Sequence, residues 1–333
     1  MSSLDVNNLF KVDGLVVVIT GGGSGIGRVI SHALATNGAK RVYILGRRIA
    51  ALEETASAHP DIIIPIVADV TEPSSLVEAA GRIRHEVGYV DFLVAGAGMV
   101  YLGPPSASST GEGGIKHNSS RKPQVGRTLL PSAIAAEVES YLLATTADEF
   151  LTTYRVNTMG VFYTIAAFIS LLDAGNKQRS ALQTQRSHVV AIASVAGQNH
   201  NATGGCAYGM SKAAVIHLMG QMNRILAPLG IRGNTLSPGC ESCCSLSPLR
   251  SSPDSYDFDT EMLVCLDFPS ELAGGPPNYA ITTEGTFPMQ LIPLQRSGTD
   301  EEMAGTILYL ASRAGGYVNG HVLVVDGGNL GYR

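Results

Sequence analysis

The chain has 333 residues, of which 45% are hydrophobic and only 15% are charged, with a net charge of −5. This composition suits a parallel sheet covered on both faces and argues against disorder. Because a chain with this charge has no global basic field, it is not expected to bind nucleic acid, and a small-molecule partner is favoured.

The N-terminus and the apolar segments give no sign of export or of a membrane. Residues 1–8 contain neither the basic region nor the apolar region of a signal peptide. The most apolar window, 160–172, is too short to span a bilayer and contains Thr164 and Ser170. We therefore predict a soluble, cytoplasmic protein without a membrane partner.

The five cysteines predict neither disulfides nor a metal site. Their number is odd, and the chain carries no export signal, so a disulfide framework is not expected. Cys240, Cys243 and Cys244 form a cluster, but no second pair of Cys or His lies at finger-like spacing. We predict no metal.

The first predicted strand, 14–20, leads directly into a glycine-rich turn and a helix that continues to about Asn37. Glycines at such a turn let the backbone bend tightly and approach a pyrophosphate, whose charge is favoured at the amide-rich start of a helix. The turn therefore predicts a dinucleotide site. The residues assigned to it are Thr20, Gly21, Gly23, Ser24, Gly25, Ile26 and Gly27.

The second predicted strand, 41–45, is followed by Gly46, Arg47 and Arg48. In a dinucleotide fold this strand end lies beside the adenosine ribose, where a carboxylate would accept from the 2′-hydroxyl and an arginine would suit a 2′-phosphate. Gly46 has no carboxylate and Arg47 brings a guanidinium, so NADP(H) is favoured over NAD(H). The alternative is that both arginines merely open a solvated helix.

Two further apolar runs, 62–67 and 90–94, are each followed by candidate cofactor-binding residues. Asp69 either bonds to the adenine edge or begins a turn before the next helix, and the small residues after the fourth run permit close approach to a ligand. The residues assigned here are Asp69, Val70, Ala95, Gly96, Ala97 and Gly98. Four strand-turn-helix units in succession predict a doubly wound parallel sheet with helices on both faces.

The regular alternation breaks at about 101–145, where Gly, Pro, Ser and scattered charges lack periodicity. We interpret this segment as a surface insertion, with a helix at about 131–143. A long helical pattern at 146–172 contains Asn157. Because asparagine is mildly unfavourable inside a helix, Asn157 is either a polar residue on an exposed turn or a functional one.

The stretch 188–212 contains residues suited to acid–base chemistry. A buried strand, 189–193, is followed by Ser194, and a helical pattern begins at about Tyr208. Tyr208 and Lys212 are four residues apart, so both side chains leave the same face of the helix. An ammonium near a phenol lowers the phenol pKa towards that of a useful general acid or base. The alternative is an ordinary half-buried tyrosine beside a solvated lysine.

The C-terminal part supplies the remaining strands of the predicted sheet. A sixth strand, 231–236, is followed by Pro238-Gly239, which we add to the cofactor-binding set. Residues 240–290 follow the carboxyl end of that strand, where open α/β sheets bind ligands, and we interpret them as a lid over the substrate. A helix at 299–312 and a last strand at 321–325 complete the chain.

With these motifs in order, the chain resembles the short-chain dehydrogenase/reductase family. The glycine-rich turn after Thr20 resembles the family's cofactor turn, Asp69-Val70 its adenine-side motif and Asp326-Gly327-Gly328 its usual ending. The family's catalytic set is matched by Asn157, Ser194, Tyr208 and Lys212. The resemblance spans about residues 10–330 apart from the insertion, and it implies a single-domain Rossmann fold of about seven strands.

The resemblance also implies a role for each catalytic residue. Tyr208 would pass a proton to a carbonyl oxygen while the nicotinamide gives a hydride to carbon, and Ser194 would hold and polarise that oxygen. Lys212 would bond to the nicotinamide ribose and lower the tyrosine pKa, and Asn157 would hold a water that links Lys212 to solvent. A homodimer or homotetramer assembled through the helices carrying Asn157 and Tyr208 is expected.

The chain departs from the family pattern at three places. The family's Asn-Asn-Ala-Gly is replaced by Ala95-Gly96-Ala97-Gly98, a threonine that often contacts the carboxamide is replaced by Cys243, and the insertion lengthens the chain. The leading hypothesis is an NADPH-dependent reductase of a small, fairly apolar carbonyl compound of specialised metabolism. The alternatives are alcohol oxidation by the same residues and a non-redox dinucleotide-binding protein or isomerase.

Overall fold

The computed structural model describes residues 4–100, 135–143, 145–178, 185–200, 205–239 and 283–331. Within them, seven parallel strands form one sheet in the order β3-β2-β1-β4-β5-β6-β7. The strands are β1 Val16–Thr20, β2 Arg41–Gly46, β3 Ile63–Val67, β4 Phe92–Ala95, β5 His188–Ile192, β6 Arg232–Pro238 and β7 Val322–Val325. The predicted Rossmann architecture is confirmed, and each strand begins and ends within two residues of its predicted bounds.

Helices cover both faces of this sheet. The described α-helices are α1 Val6–Leu9, α2 Gly25–Thr36, α3 Ile49–Ala56, α4 Pro73–Glu86, α5 Ala135–Leu143, α6 Ala147–Tyr154, α7 Gly160–Gln178, α8 Cys206–Leu226 and α9 Asp300–Ala311. Successive strand side chains point to opposite faces. Accordingly, Val16 and Val18 pack in one core with α4, α7 and α8, while Val17 and Ile19 pack in the other with α2, α3 and α9.

The segment predicted as one helix at 146–172 is interrupted and longer than predicted. After α6 the chain makes a π-helical turn, Arg155–Met159, before α7 continues to Gln178. Asn157 lies in this wider turn and is fully buried. Its burial rules out the alternative of an exposed turn. Hydrophobic periodicity did not reveal the interruption, because the helices on both sides keep the same 3.6-residue period and the π turn itself covers only five residues.

Residues 147–178 form a continuous helical segment that is long and apolar enough to cross a membrane by length and composition. This segment exceeds the window 160–172 on which the sequence prediction rested. Of its most apolar window, 44% is buried, and Phe168, Leu171 and Leu172 belong to the core beneath the sheet. Packing against the sheet accounts for the apolar character of these residues.

The strand order reverses between β1 and β4, which pair with each other at the centre of the sheet. Thr20 and Ala95 are partners in this pairing, so the chain leaves the two strands side by side. In open α/β sheets the crevice outside the carboxyl ends of the strands at such a reversal is the usual ligand site. The two glycine-containing segments that begin at Gly21 and Gly96 therefore flank this crevice.

Candidate active site

A cleft opens at the carboxyl ends of β1, β4 and β5. Its lining residues are Gly21, Ser24, Ile26, Gly27, Gly96, Gly98, Met99, Val100, Ile192, Tyr208 and Lys212. The cleft thus joins part of the predicted dinucleotide turn to two of the four predicted catalytic residues.

Two glycines of the glycine-rich turn leave no room for a side chain. A Cβ added at Gly21 would lie 2.9 Å from Cα of Ala97, and one added at Gly27 would lie 2.1 Å from the carbonyl oxygen of Gly21. The φ angles of Gly21 and Gly25 are +76° and +50°, which other residues rarely adopt. Because α2 begins at Gly25, its first amides are available to an anion.

Thr20 ties the first strand to the fourth through its hydroxyl. Oγ1 accepts hydrogen bonds from the backbone N–H groups of Gly96 at 3.1 Å and Ala97 at 3.3 Å. A Cβ added at Gly96 would lie 2.9 Å from the carbonyl oxygen of Thr20. The Ala95-Gly96 departure from the family pattern is thus accommodated by close backbone packing.

Ser194 caps the short helical turn that follows β5. This 3₁₀ turn, Val195–Gly197, begins at Ser194, whose Oγ accepts a hydrogen bond from the N–H of Ala196 at 3.2 Å. The residue is 1% exposed and is not among those that line the cleft. A serine oxygen that accepts this bond still has its own proton to donate.

Two glycines let this turn press against α8. A Cβ added at Gly197 would lie 2.7 Å from the carbonyl carbon of Lys212 and from the nitrogen of Ala213. A Cβ added at Gly209 would lie 3.0 Å from the carbonyl oxygen of Ala196. This contact brings the segment carrying Ser194 against the helix that carries the predicted tyrosine and lysine.

Tyr208 and Lys212 are both buried, so the alternative of a solvated lysine is wrong. Tyr208 is 1% exposed and packs with Val100 and Ala196, and Lys212 is 3% exposed. The Lys212 Nζ lies 5.8 Å from the centroid of the Tyr208 ring and donates to the carbonyl oxygen of Ile192 at 3.0 Å. Burial lowers the pKa of Lys212 from 10.5 to about 8, so the ammonium form still prevails at neutral pH.

The side chain of Asn157 links α8 to the segment that follows β4. Its Oδ1 accepts from the N–H of Met99 at 2.7 Å, and its Nδ2 donates to the carbonyl oxygen of Met99 at 2.9 Å and to Oγ of Ser211 at 3.0 Å. A Cβ added at Gly98 would lie 3.1 Å from the Nζ of Lys212 and 3.4 Å from Oδ1 of Asn157. The Asn157 amide and the Lys212 ammonium therefore both lie next to Gly98. The water that the resemblance assigns to Asn157 stays a prediction.

The arginine pair lies at the carboxyl end of β2. Arg47 is exposed, and Arg48 is half-buried and precedes the first residue of α3. The arginines therefore do open a helix, as the alternative held, and they also stand at the strand end where the 2′-phosphate is expected.

The predicted cofactor-binding residues at the ends of β3 and β6 make contacts within the local structure. Asp69 Oδ1 accepts from both the N–H and the hydroxyl of Thr71 at 2.8 Å, which is the turn-forming alternative. The side chain of Val70 is buried in the core, where a Cβ added at Gly160 would lie 2.8 Å from it. At the end of β6, Gly239 follows Pro238 and donates to Val325.

Sequence reasoning missed three apolar residues of the cleft: Met99, Val100 and Ile192. Met99 and Val100 directly follow the run of small residues that ends at Gly98. Their position in the sequence could therefore have indicated that they line the cleft. Most of the predicted lid, including Cys240, Cys243 and Cys244, lies outside the described residues, as does the insertion up to 134. Among the residues that the structure describes, no group of three or more His, Cys, Asp or Glu could hold a metal ion.

The chain is similar to known proteins along nearly its whole length. A family model described as short chain dehydrogenase matches residues 15–113 and 132–251, and one described as enoyl-(acyl carrier protein) reductase matches 285–329. The short-chain dehydrogenase/reductase PhomF of Diaporthe leptostromiformis is 34% identical over 331 residues, which cover 98% of this chain and 95% of that protein.

Two further relatives represent a named activity and a solved structure. A ribulose-forming D-arabinitol 2-dehydrogenase of Scheffersomyces stipitis is 30% identical over 324 residues, covering 96% of this chain and 95% of that protein. A crystal structure of a short-chain type dehydrogenase/reductase from Mycobacterium marinum superposes with a TM-score of 0.67 at 26% identity, covering 99% of both chains.

Proposed function

The chain belongs to the short-chain dehydrogenase/reductase family, and we propose that it is an NADPH-dependent carbonyl reductase in which Tyr208 is the proton donor. Family membership makes it an oxidoreductase that acts on CH–OH or C=O groups. The observation that carries the proposal is the pairing of Tyr208 and Lys212 in the same cleft as the glycine-rich turn.

The cleft fits a nicotinamide dinucleotide. Close packing at Gly21 and Gly27 leaves backbone without side chains along the turn, and the start of α2 offers amides to a pyrophosphate. When bound, the reduced dinucleotide supplies the hydride. The apolar walls at Met99, Val100 and Ile192 support a fairly apolar substrate.

The protein's own groups supply a proton and hold the oxygen that receives it. The phenol of Tyr208 gives its proton to the carbonyl oxygen, and the Lys212 ammonium stabilises the phenolate left behind. Ser194 accepts a bond from the N–H of Ala196 and keeps its own hydroxyl proton. We propose that it donates this proton to the same oxygen once the substrate is bound. Asn157 fixes the backbone of Met99 and thereby one wall of the cleft.

Replacing Tyr208 by Phe tests the proton-donor assignment. The hydroxyl serves chemistry and the ring serves packing, so turnover is expected to fall by about a thousandfold or more while NADPH binds within about twofold of the wild-type affinity. Steady-state oxidation of NADPH with a panel of ketones measures the first value, and fluorescence titration measures the second. Tyr317→Phe is the matched control, because Tyr317 is fully exposed. Retained turnover in Tyr208→Phe would refute the assignment.

The preference for NADPH rests on Arg47 and on the missing carboxylate at Gly46. Arg47→Ala is expected to weaken NADPH binding by about tenfold or more, and NADH binding by less than about twofold, because only NADPH carries the 2′-phosphate. Dissociation constants for both dinucleotides measure the effect, with Arg313→Ala as the exposed control. Equal losses for the two dinucleotides would count against a 2′-phosphate contact.

Alcohol oxidation is the second candidate direction. The relative named as a ribulose-forming D-arabinitol 2-dehydrogenase favours this reading. The apolar residues of the cleft favour the first reading, since a polyol would leave hydroxyls without partners beside Met99 and Val100. Initial rates with polyols plus NADP⁺, compared with ketones plus NADPH, decide between the two.

We also propose that the protein forms a homodimer or homotetramer through α7 and α8. Phe162 and Ala166 are exposed on α7, and Ala213 and Gly220 are exposed on α8, so both helices offer small or apolar outer positions. Light scattering is expected to give two or four times the chain mass, and Ala166→Arg is expected to lower it. A wild-type monomer would contradict this assembly.

A further inference from the structure

The carbonyl oxygen of Gly23, within the glycine-rich turn, is held by side chains from two different helices. Arg28 on α2 donates to this oxygen from Nη2 at 2.9 Å. Oγ1 of Thr55 on α3 lies 3.2 Å from the same oxygen and 3.1 Å from the carbonyl oxygen of Ala51, so its single proton is shared between these two acceptors. The turn is thus fixed from the side of α3 as well as from its own helix.

The contact between the turn and α3 is direct. A Cβ added at Gly23 would lie 3.3 Å from Cβ of Ala51 and 3.4 Å from the nitrogen of Leu52, both in the first turn of α3. Arg28 also pairs with Glu54 on α3 at 3.0 Å. This ion pair is partly exposed and contributes little by itself, so the bonds to the Gly23 oxygen are the main link.

The arginine pair lies at the start of α3, because Arg47 and Arg48 immediately precede this helix. In the proposed function, the pyrophosphate of either dinucleotide binds at the turn, and the 2′-phosphate, which only NADPH carries, binds at the arginines. The distance between the turn and the start of α3 therefore matters more for the phosphorylated dinucleotide.

We propose that Arg28 and Thr55 are positioning residues that hold the glycine-rich turn at a fixed distance from Arg47 and Arg48, and thereby set the preference for NADPH over NADH. This inference rests on the proposed function, since it requires that the cleft bind a dinucleotide. Neither residue lines the cleft. Both act through the backbone of Gly23 and the placement of α3.

Direct binding measurements on three variants test this proposal. In Arg28→Met the dissociation constant for NADPH is expected to rise about tenfold and that for NADH about twofold, while kcat at saturating NADPH changes less than about twofold. Thr55→Val, which keeps the shape but removes the hydroxyl, is expected to weaken NADPH binding by about threefold to fivefold. Thr55→Ser keeps the donor and is expected to restore binding to near the wild-type value.

Arg82→Met is the matched control, because Arg82 also pairs with a glutamate, Glu86, but lies on α4. Thermal melting of each variant separates a positioning effect from unfolding, and Arg28→Lys provides a milder change if Arg28→Met fails to fold. Equal losses for NADPH and NADH, or no loss in either Arg28 variant, would overturn the proposal. A wild-type protein that binds neither dinucleotide would instead remove the proposed function, and this inference with it.

Discussion

The half of the cleft that we propose to bind the dinucleotide and the half that we propose to carry out catalysis, hereafter the dinucleotide half and the catalytic half, are built in opposite ways. Between β1 and α3 the cleft is lined by Gly21, Ser24, Ile26 and Gly27. The side chains that hold this part, Thr20 and Arg28, bond to backbone atoms. From β5 to α8 the important groups are polar side chains inside the core. Ser194, Tyr208 and Lys212 are all at most 3% exposed.

The two halves therefore differ in how much they cost the stability of the fold. Backbone amides at a helix start cost little to present, since they are unpaired in any helix. A buried ammonium such as Lys212 loses its hydration, and the depressed pKa records that cost. The catalytic half therefore gives up stability for function, and its geometry depends on tight packing between the turn after β5 and α8.

Gly197→Ala attacks that packing and is expected to have the largest effect outside the catalytic side chains themselves. The added Cβ would lie 2.7 Å from main-chain atoms of Lys212 and Ala213, so the turn and α8 must separate. A shift approaching 1 Å at reacting groups can reduce kcat by about a hundredfold. NADPH affinity, which depends on the other half of the cleft, should change much less.

The control for this variant is Gly81→Ala on α4, away from the helices proposed to form the interface between subunits. A Cβ added at Gly81 meets nothing within 4 Å, and alanine is a better helix former than glycine. Wild-type kcat and an unchanged or slightly raised melting temperature are expected. A Gly197→Ala enzyme with wild-type kcat would show that the close contact between the turn and α8 does not set the catalytic geometry.

The dinucleotide half was the more predictable of the two from sequence. A strand, a glycine-rich turn and a helix follow one another within residues 14–37. Each of the three can be predicted from residues close together in the sequence. The strands were equally predictable, because β1 and its neighbours are continuous apolar runs. The right-handed crossovers of such units predict a parallel, doubly wound sheet, whereas the order of its strands comes from the structure.

The catalytic half was predictable as a set of residues but not as a geometry. The hydrogen bonds of Asn157 reach Met99, 58 residues away, and Ser211, 54 residues away. The π-helical turn that buries Asn157 leaves no periodic signal in the sequence. The hydrogen bonds from Arg28 and Thr55 to Gly23 were also not predicted, because an arginine and a threonine are ordinary residues on the surface of a helix.

Lys212→Met measures directly the stability that the catalytic half gives up. The folded pKa of about 8 lies below the unfolded value of 10.5, so the protein binds fewer protons when folded and the free energy of unfolding rises between these pH values. Below pH 8 the full cost of burying the ammonium is present. Lys212→Met also loses the bond to Ile192. After allowance for that loss, the free energy of unfolding of Lys212→Met is expected to exceed that of the wild type by about 2 kcal/mol at pH 7, although the variant is expected to be inactive.

Chemical denaturation of the cofactor-free protein between pH 7 and pH 10.5 measures this difference. The gap between wild type and Lys212→Met should narrow as pH rises through this window, because deprotonation relieves the wild-type lysine only. Lys177→Met is the matched control, since the Lys177 side chain is 75% exposed and its removal should leave the pH dependence unchanged. A gap that stays constant to pH 10.5 would mean that Lys212 is not held as a desolvated cation, and the contrast between the two halves would lose its energetic basis.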